Sequence, residues 1–372
     1  MDFIPSEEQA ILRSMAARFA AEMRPGTDKT ALTPSQRWSR YADIGVLGLA
    51  LAEEYGGMGG GGVETMIVAE EMGRALLTDP FVSVAAVAAP LIEALGDEAQ
   101  KQSLLPRMTS GELLVAPALL EPEARYSLNR VATSARFRDD CWRLDGHKAV
   151  VLGAPQAHYL LVSARVAGAV DDPDGISVFL VPTGHKGVEL RPVRTLDERD
   201  AAEIRLEQVT LGAGALLGGR GQALAAIEAA VERGAAAVAG EAVGAMAGLF
   251  DMCVEYLQTR RQFGVSIGTF QVLQHRLVDM KVALEMARSI TAAAAMAMDG
   301  DDVPTRRRMV AAAKIHTGRA GRLIGQHAIQ LHGAMGMTEE YGAGRYLKRL
   351  MVLGALFGDG THHLDGFIAA IG

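Results

Sequence analysis

Cysteine is almost missing from this chain. Cys141 and Cys253 are the only two in 372 residues, they share no metal-ligand spacing, and so few thiols fit a reducing compartment. Positive charge is also scarce in runs. The net charge is -7 and the densest basic stretch is Arg306, Arg307 and Arg308, which reads as a solvated helix face and argues against nucleic acid as a partner. Long apolar runs are lacking too: the small-residue stretches are broken by Glu, Arg or Asp short of the ~18 to 20 residues of a membrane span, so no span is expected. The N-terminus begins Met1, Asp2, Phe3, Ile4 and continues with acidic residues, without the basic and apolar regions of a secretory signal. A cytoplasmic protein is the expectation.

What remains is an ordinary globular composition, 49% hydrophobic and 22% charged, long enough for two or three domains. Ser6 and Gln9 form a plausible capping box, and Ile11, Met15 and Phe19 then recur every fourth residue, which predicts a helix over 6–23. Further helical patterns cover 35–45, 63–76, 81–95 and 97–109. The glycine-rich stretch 56–62 lacks the Lys-Ser/Thr of a phosphate loop and reads as a flexible turn between helices.

From about 114 the texture changes to short β-branched segments at 131–137, 147–151, 158–164, 176–181 and 202–209. Asp145-Gly146 and Asp174-Gly175 stand among them as turn signals. A small, largely antiparallel β domain is expected. Helical patterns return over 221–258, 269–298 and 304–331, with another after Tyr341. Pro304 suits the first position of its helix, and short joints suggest an antiparallel bundle. Ala and Gly crowd 223–248, as in a tight helix interface. The expected division is 1–113 helical, 114–220 β and 221–372 a four-helix bundle.

Several motifs stand on this frame. Residues 259–264 read TRRQFG, Phe270-Gln271 follow, and QLHGAMGMTEEY spans 330–341. Taken singly, an Arg pair in a helix is usually surface and a His-Gly pair is usually a helix end. Together, in this order and spacing, they resemble the Arg-x-x-Phe-Gly, Phe/His-Gln and Gln-x-x-Gly-Gly elements of the acyl-CoA dehydrogenase family. The segments EEYGGMGGGGVETMIVAEEMGRAL, EAVGAM and LFGDGTHHL narrow the likeness to the small subunits of pimeloyl-CoA dehydrogenases.

That resemblance implies a mostly α fold with a small β domain: an N-terminal helical domain, a central β-barrel-like domain and a C-terminal four-helix bundle. It implies FAD as cofactor, an acyl-CoA thioester as substrate, and a flavoprotein electron acceptor. A homotetramer or an α2β2 heterotetramer with a second chain of the same type is implied as well. Arg260 would reach the diphosphate, suited to it by a permanent, forked charge. Phe263 would pack on the cofactor and Gln271 would hydrogen-bond it. Gln330, Gly333 and Ala334 would lie along the adenosine, with Ala334 replacing the family's second glycine, and Thr361 would complete the cofactor contacts.

The family removes an α-proton with a carboxylate while the β-hydrogen leaves as hydride. Asp359 stands where the family commonly has the Glu of Glu-Gly-Thr. It is one methylene shorter, a withdrawal of about 1.5 Å, and a misplacement of about 1 Å costs ~100-fold in rate. The path from Tyr341 to Asp359 is two residues longer than usual, which can compensate. The other family location is the residue before an Arg on the first bundle helix; here that is Glu232, with Arg233 beside the substrate. An exposed Glu-Arg step is also a common helix pair, so both candidates stand. His362, His363 and Asp365 lack a third strong ligand and read as a polar helix start, not a metal site.

The flavin loops depart further from the family. In Pro117-Ala118-Leu119-Leu120-Glu121-Pro122 the usual Thr is Leu120, with Arg125-Tyr126-Ser127 in place of Gly-Ser-Asp. In Lys148-Ala149-Val150-Val151-Leu152-Gly153 the family's Trp and Thr are aliphatic. Unpaired buried groups cost about 1 to 3 kcal/mol each, so this chain's own ring pocket is expected to be weak. Three readings follow: a competent dehydrogenase subunit, a non-catalytic partner completing another chain's FAD site, or a flavin oxidase, since nitroalkane-oxidising relatives use Asp as base. Dicarboxylyl, medium-chain, bulky or sterol-derived acyl groups all remain open.

Overall fold

The computed structural model describes residues 5–24, 32–338 and 341–369; Met1 to Ile4, and Glu339 and Glu340 of the QLHGAMGMTEEY segment, lie outside the described residues. In chain order the helices are α1 (Glu7–Met23), α2 (Pro34–Asp43), α3 (Gly62–Arg74), α4 (Val82–Leu95), α5 (Glu98–Thr109), α6 (Leu224–Thr259), α7 (Gln271–Ala297), α8 (Val303–His332), α9 (Ala343–Ala355) and α10 (Gly360–Ala369). The main strands are β1 (Val115–Ala118), β2 (Ser134–Arg138), β3 (Cys141–Leu152), β4 (Tyr159–Arg165), β5 (Ile176–Pro182), β6 (Val188–Arg194), β7 (Asp200–Gly212) and β8 (Leu216–Leu217). A small hairpin, β9 (Arg261–Gln262) and β10 (Val265–Ser266), follows α6.

Local chemistry sets these boundaries. Ser6 caps α1 in a reciprocal box with Gln9, and Thr33 with Gln36 and Asp97 with Gln100 repeat the device at α2 and α5, satisfying N–H groups that a helix start leaves unpaired. At α8 the cap is Asp302, so Pro304 sits one position further into the first turn than its sequence position suggested. The first half of α4, Val82–Ala88, is wound as a π-helix of wholly buried small and β-branched residues.

The chain forms two compact units. One takes Met1–Ala31, Gly61–Leu77 and Ala235–Gly372; the other takes Leu32–Gly60 and Thr78–Gly234. In the first unit Ala235, Ala236 and Ala239 of α6 meet Ala294 and Met298 at the end of α7 and Val310 and Ala313 of α8. A Cβ on Gly244 would stand 1.7 Å from the Glu70 carbonyl oxygen of α3. The small-residue stripe is therefore a contact within the chain. By length and composition α6 does pass for a membrane span, contrary to the reading of broken apolar runs, but 72% of its most apolar window is buried in the protein. It is a core helix.

The second unit carries an eight-stranded sheet in the order β6-β7-β3-β2-β4-β5-β8, with β1 parallel to β4. Most pairs are antiparallel. Asp145-Gly146, expected as a turn, instead lies inside β3 at a register shift, where Asp145 Oδ1 accepts the N–H of Gln208 on β7 at 2.7 Å. A bulge, one extra residue in one strand, explains both the turn-like sequence and the unbroken strand. β1 and β6 were not foreseen, since each carries a proline that blurs its pattern.

The glycine-rich stretch is not a slack turn either. The N–H groups of Gly57, Met58, Gly59 and Gly60 donate to the carbonyls of Ala52, Gly48, Leu51 and Leu49. Donors committed to their own chain are not available to cradle a phosphate.

Candidate cofactor and active site

Of the residues expected along FAD, Arg260, Phe263, Gln271, Gln330, Gly333 and Ala334 lie on segments joined at one end of the first unit, and Thr361 stands apart at the start of α10. Arg260 follows the last turn of α6, and its carbonyl accepts Ile267 N–H across the small hairpin. Phe263 and Gly264 at the hairpin tip both have positive φ, 55° and 83°, as a tight primed turn requires. The Phe263 ring is 90% exposed and stands edge-on to Phe270, with ring centroids 6.2 Å apart. Gln271 opens α7 directly after Phe270.

An aromatic cluster ties this end of α6 to the 330s. Tyr256, one turn before Arg260, lies 4.6 Å from His332, and Tyr341 lies 4.9 Å from His332. The His332 Nδ1 contacts Ala328 O at 2.8 Å, and burial holds its imidazole below its ordinary pKa. Gly333 ends α8 with φ 59° and ψ -135°, a conformation nearly restricted to glycine. A Cβ there would meet nothing within 4 Å, so the backbone requires the glycine and the space beside it is open. Gln330, Gly333 and Ala334 are all exposed. Forked cation, amides, open backbone and an unsupported aromatic ring form a donor set that fits a diphosphate and adenosine.

Asp359 and Thr361 stand together at the start of α10. Asp359 Oδ1 accepts Thr361 N–H at 3.0 Å and His362 N–H at 2.9 Å, so the carboxylate caps the helix. Sequence reading missed what lies behind this turn. Lys314, on the buried face of α8, donates from Nζ to Leu353 O and to Leu356 O, each at 2.7 Å. Burial pushes its ammonium down to about 7, opposed by Asp359. His363 Nε2 contacts Phe357 O at 3.0 Å; burial, then the Lys314 charge, pushes its pKa down to about 4. The ring is therefore neutral near pH 7, and Nε2 carries the proton it donates. A signal for Lys314 existed: it shares a helical face with Val310, Ala313 and Thr317, all buried.

Glu232 and Arg233 fall on the first part of α6, in the second unit, and both are half-buried. The flavin-loop segments lie in the same unit around a buried ion pair. Glu121 Oε1 accepts Lys148 Nζ at 2.7 Å and Thr133 N–H at 3.0 Å, and Oε2 accepts Ala132 N–H at 2.8 Å. Lys148 Nζ also donates to Ser163 Oγ at 3.0 Å. Burial pushes Lys148 down to about 8; burial raises Glu121, but Lys148 and the N–H donors outweigh it and leave the carboxyl below its usual range. The 119–121 loop and β3 are further joined by Ala149 N–H on Leu120 O at 3.0 Å. Next to this frame β3 bulges between Lys148 and Val151, and Val150 sits at φ 50° with its side chain half-exposed. The loops keep their scaffold, while Leu120, Val150 and Leu152 offer a ring no side-chain hydrogen bond. The residues present fit the adenosine and diphosphate of FAD.

Among the described residues no group of three or more His, Cys, Asp or Glu side chains is placed to hold a metal. His362 and His363 lie in the first turn of α10, with Asp365 one residue beyond Leu364.

An N-terminal helical region, a middle β region, a C-terminal helical region and this end-of-bundle constellation define a protein class. Family descriptions for the acyl-CoA dehydrogenase N-terminal, middle and C-terminal domains match residues 6–112, 116–209 and 219–368. The chain belongs to the acyl-CoA dehydrogenase family. It is 31% identical over its whole length to a probable acyl-CoA dehydrogenase, YngJ, of Bacillus subtilis, covering 99% of that protein. It is 29% identical to the human mitochondrial short-chain specific acyl-CoA dehydrogenase, over 93% of this chain and 85% of that one. Among solved structures, glutaryl-coenzyme A dehydrogenase with glutaryl-CoA superposes with a TM-score of 0.92 at 26% identity, over 99% of this chain and 96% of that one. An FAD-dependent dehydrogenase superposes at 0.90 and 26% identity over the full length of both.

Proposed function

We propose that this chain is a subunit of an FAD-dependent acyl-CoA dehydrogenase that desaturates an acyl-CoA thioester between Cα and Cβ, with Asp359 as the base. The protein is an oxidoreductase of the acyl-CoA dehydrogenase type and its cofactor is FAD. Bound FAD supplies the hydride acceptor. Arg260 would neutralise diphosphate charge, Gln271 and Gln330 would give amide contacts, Phe263 would pack on the cofactor, and the Gly333-Ala334 backbone would leave room for the adenosine. Asp359 takes the α-proton.

The observation that carries the choice of base is the fixed carboxylate. Two backbone N–H groups hold Oδ1, which sets the side-chain rotamer and leaves Oδ2 to accept a proton. Glu232 with Arg233 is the alternative. Asp359→Asn and Glu232→Gln, each assayed for acyl-CoA-dependent reduction of an electron acceptor, separate the two. We expect the first to lower kcat by ~100-fold or more and the second to leave it within about threefold; the opposite pattern moves the base to Glu232.

A second reading has its own support in the aliphatic Leu120, Val150 and Leu152. In an α2β2 assembly with a second acyl-CoA dehydrogenase-like chain, this subunit completes the partner's FAD site through Arg260, Phe263 and Gln271. The apolar stripe Val272, Val278, Val282 and Met286, exposed along one face of α7, is the surface that such a chain, or a second copy in a homotetramer, would cover. The visible spectrum decides: a yellow protein purified alone supports self-sufficiency, and flavin retained only on co-expression supports the heteromer. The likeness to pimeloyl-CoA dehydrogenase small subunits points to dicarboxylyl, medium-chain or bulky acyl groups, and the free thiols fit the cytoplasm.

A further inference from the structure

We propose that Lys314 is a positioning residue: with His363 it clamps the Leu356–Asp359 turn and so fixes the Asp359 carboxylate, without touching substrate. Its catalytic consequence rests on Asp359 being the base; the clamp itself does not.

The turn is an awkward piece of chain. Phe357 and Gly358 follow one another at φ 55° and 108°, conformations that cost free energy at a phenylalanine. Such a turn persists when its surroundings over-determine it. Here three side-chain contacts hold two of its carbonyls and one in the last turn of α9 before it. Lys314 takes the carbonyls of Leu353 and Leu356, at the end of α9, where the helix dipole is negative and unpaired carbonyls collect. His363 takes the carbonyl of Phe357, between them and Asp359. A Cβ on Gly358 would come within 2.6 Å of both His362 and His363, so the rings close on the turn from the α10 side.

A fully buried ammonium is expensive unless its surroundings are built for it. Among the described residues Lys314 makes no ion pair with a carboxylate; two carbonyls and the charge of Asp359 offset its burial, and its own charge acts on His363. The same ammonium thus orders the backbone leading to Asp359. A lysine used only to fill space on the α8 face would be better replaced by methionine or leucine.

The test uses the purified holo assembly, homomeric or heteromeric, with Lys314→Met, Lys314→Arg and the milder His363→Leu. Hydrogen exchange at the Thr361 and His362 amides reads the clamp without turnover. We expect both amides to exchange at least about tenfold faster in Lys314→Met, less so in His363→Leu, and near the wild-type rate in Lys314→Arg. In turnover, Lys314→Met should lower kcat about tenfold or more with KM little changed. Lys314→Arg should keep kcat and lose any decline near pH 7 that reports lysine deprotonation. Unchanged exchange at both amides in Lys314→Met and His363→Leu overturns the clamp. Faster exchange with unchanged kcat, together with an unchanged kcat in Asp359→Asn, leaves the clamp standing and instead removes Asp359 as base.

Discussion

A carboxylate that caps its own helix has one oxygen tied and one free, so at Asp359 structure and chemistry compete for the same side chain. Asparagine caps a helix about as well as aspartate, so Asp359→Asn should shift stability by less than about 1 kcal/mol while abolishing proton abstraction. Chemical denaturation alongside kcat checks both halves. His363 makes a different demand. Its pKa is pushed down to about 4 from an ordinary value of 6.5 by burial and by Lys314. Below pH 6.5 the unfolded chain takes up a proton that the folded ring refuses until about pH 4. Stability should therefore fall as pH drops through that window. Urea midpoints at pH 7, 6, 5 and 4 should decline in the wild type and flatten in His363→Leu.

Among the elements, the join between the 119–121 loop and β3 depends most on single side chains. Removing one partner of a buried ion pair strands the other, at a cost of about 3 to 5 kcal/mol. Glu121→Gln or Lys148→Met should lose that much in denaturation, and Glu121→Leu combined with Lys148→Met should recover part of it. The same region shows what a sequence conveys and what it hides. The helices were legible because their caps and periodicity are local: Ser6 with Gln9 specifies the start of α1 unaided. Asp145-Gly146 misled because a bulge and a hairpin turn use the same residues, and only the pairing with β7 separates them. Glu121 and Lys148 were visible as motif letters. Their role was not, since the pair spans 27 residues and charge in a sequence reads first as surface. Lys314 escaped for the same reason, whereas Arg260, Gln271 and Gly333 were singled out through family likeness, not through any local physical signal.

For the whole molecule the issue is what covers its exposed apolar groups. Phe263 presents an aromatic ring on a strained turn, and α7 presents four exposed apolar side chains along one face. Val278→Glu with Val282→Glu should convert the assembled protein to smaller species in light scattering while leaving its helical circular dichroism intact, because neither residue belongs to the buried core. Phe263→Ser should weaken flavin retention more than it weakens assembly.

Val150 occupies a left-handed backbone position on a bulge whose shape is set from behind by Glu121 and Lys148. A valine gains nothing from that posture, and the posture does not depend on the valine. The lining of these loops is in this sense interchangeable upholstery on a rigid chassis. Leu120→Thr and Val150→Trp together should be accommodated without refolding, and flavin retained by such a chain purified by itself would show that the scaffold can be relined to grip a flavin ring.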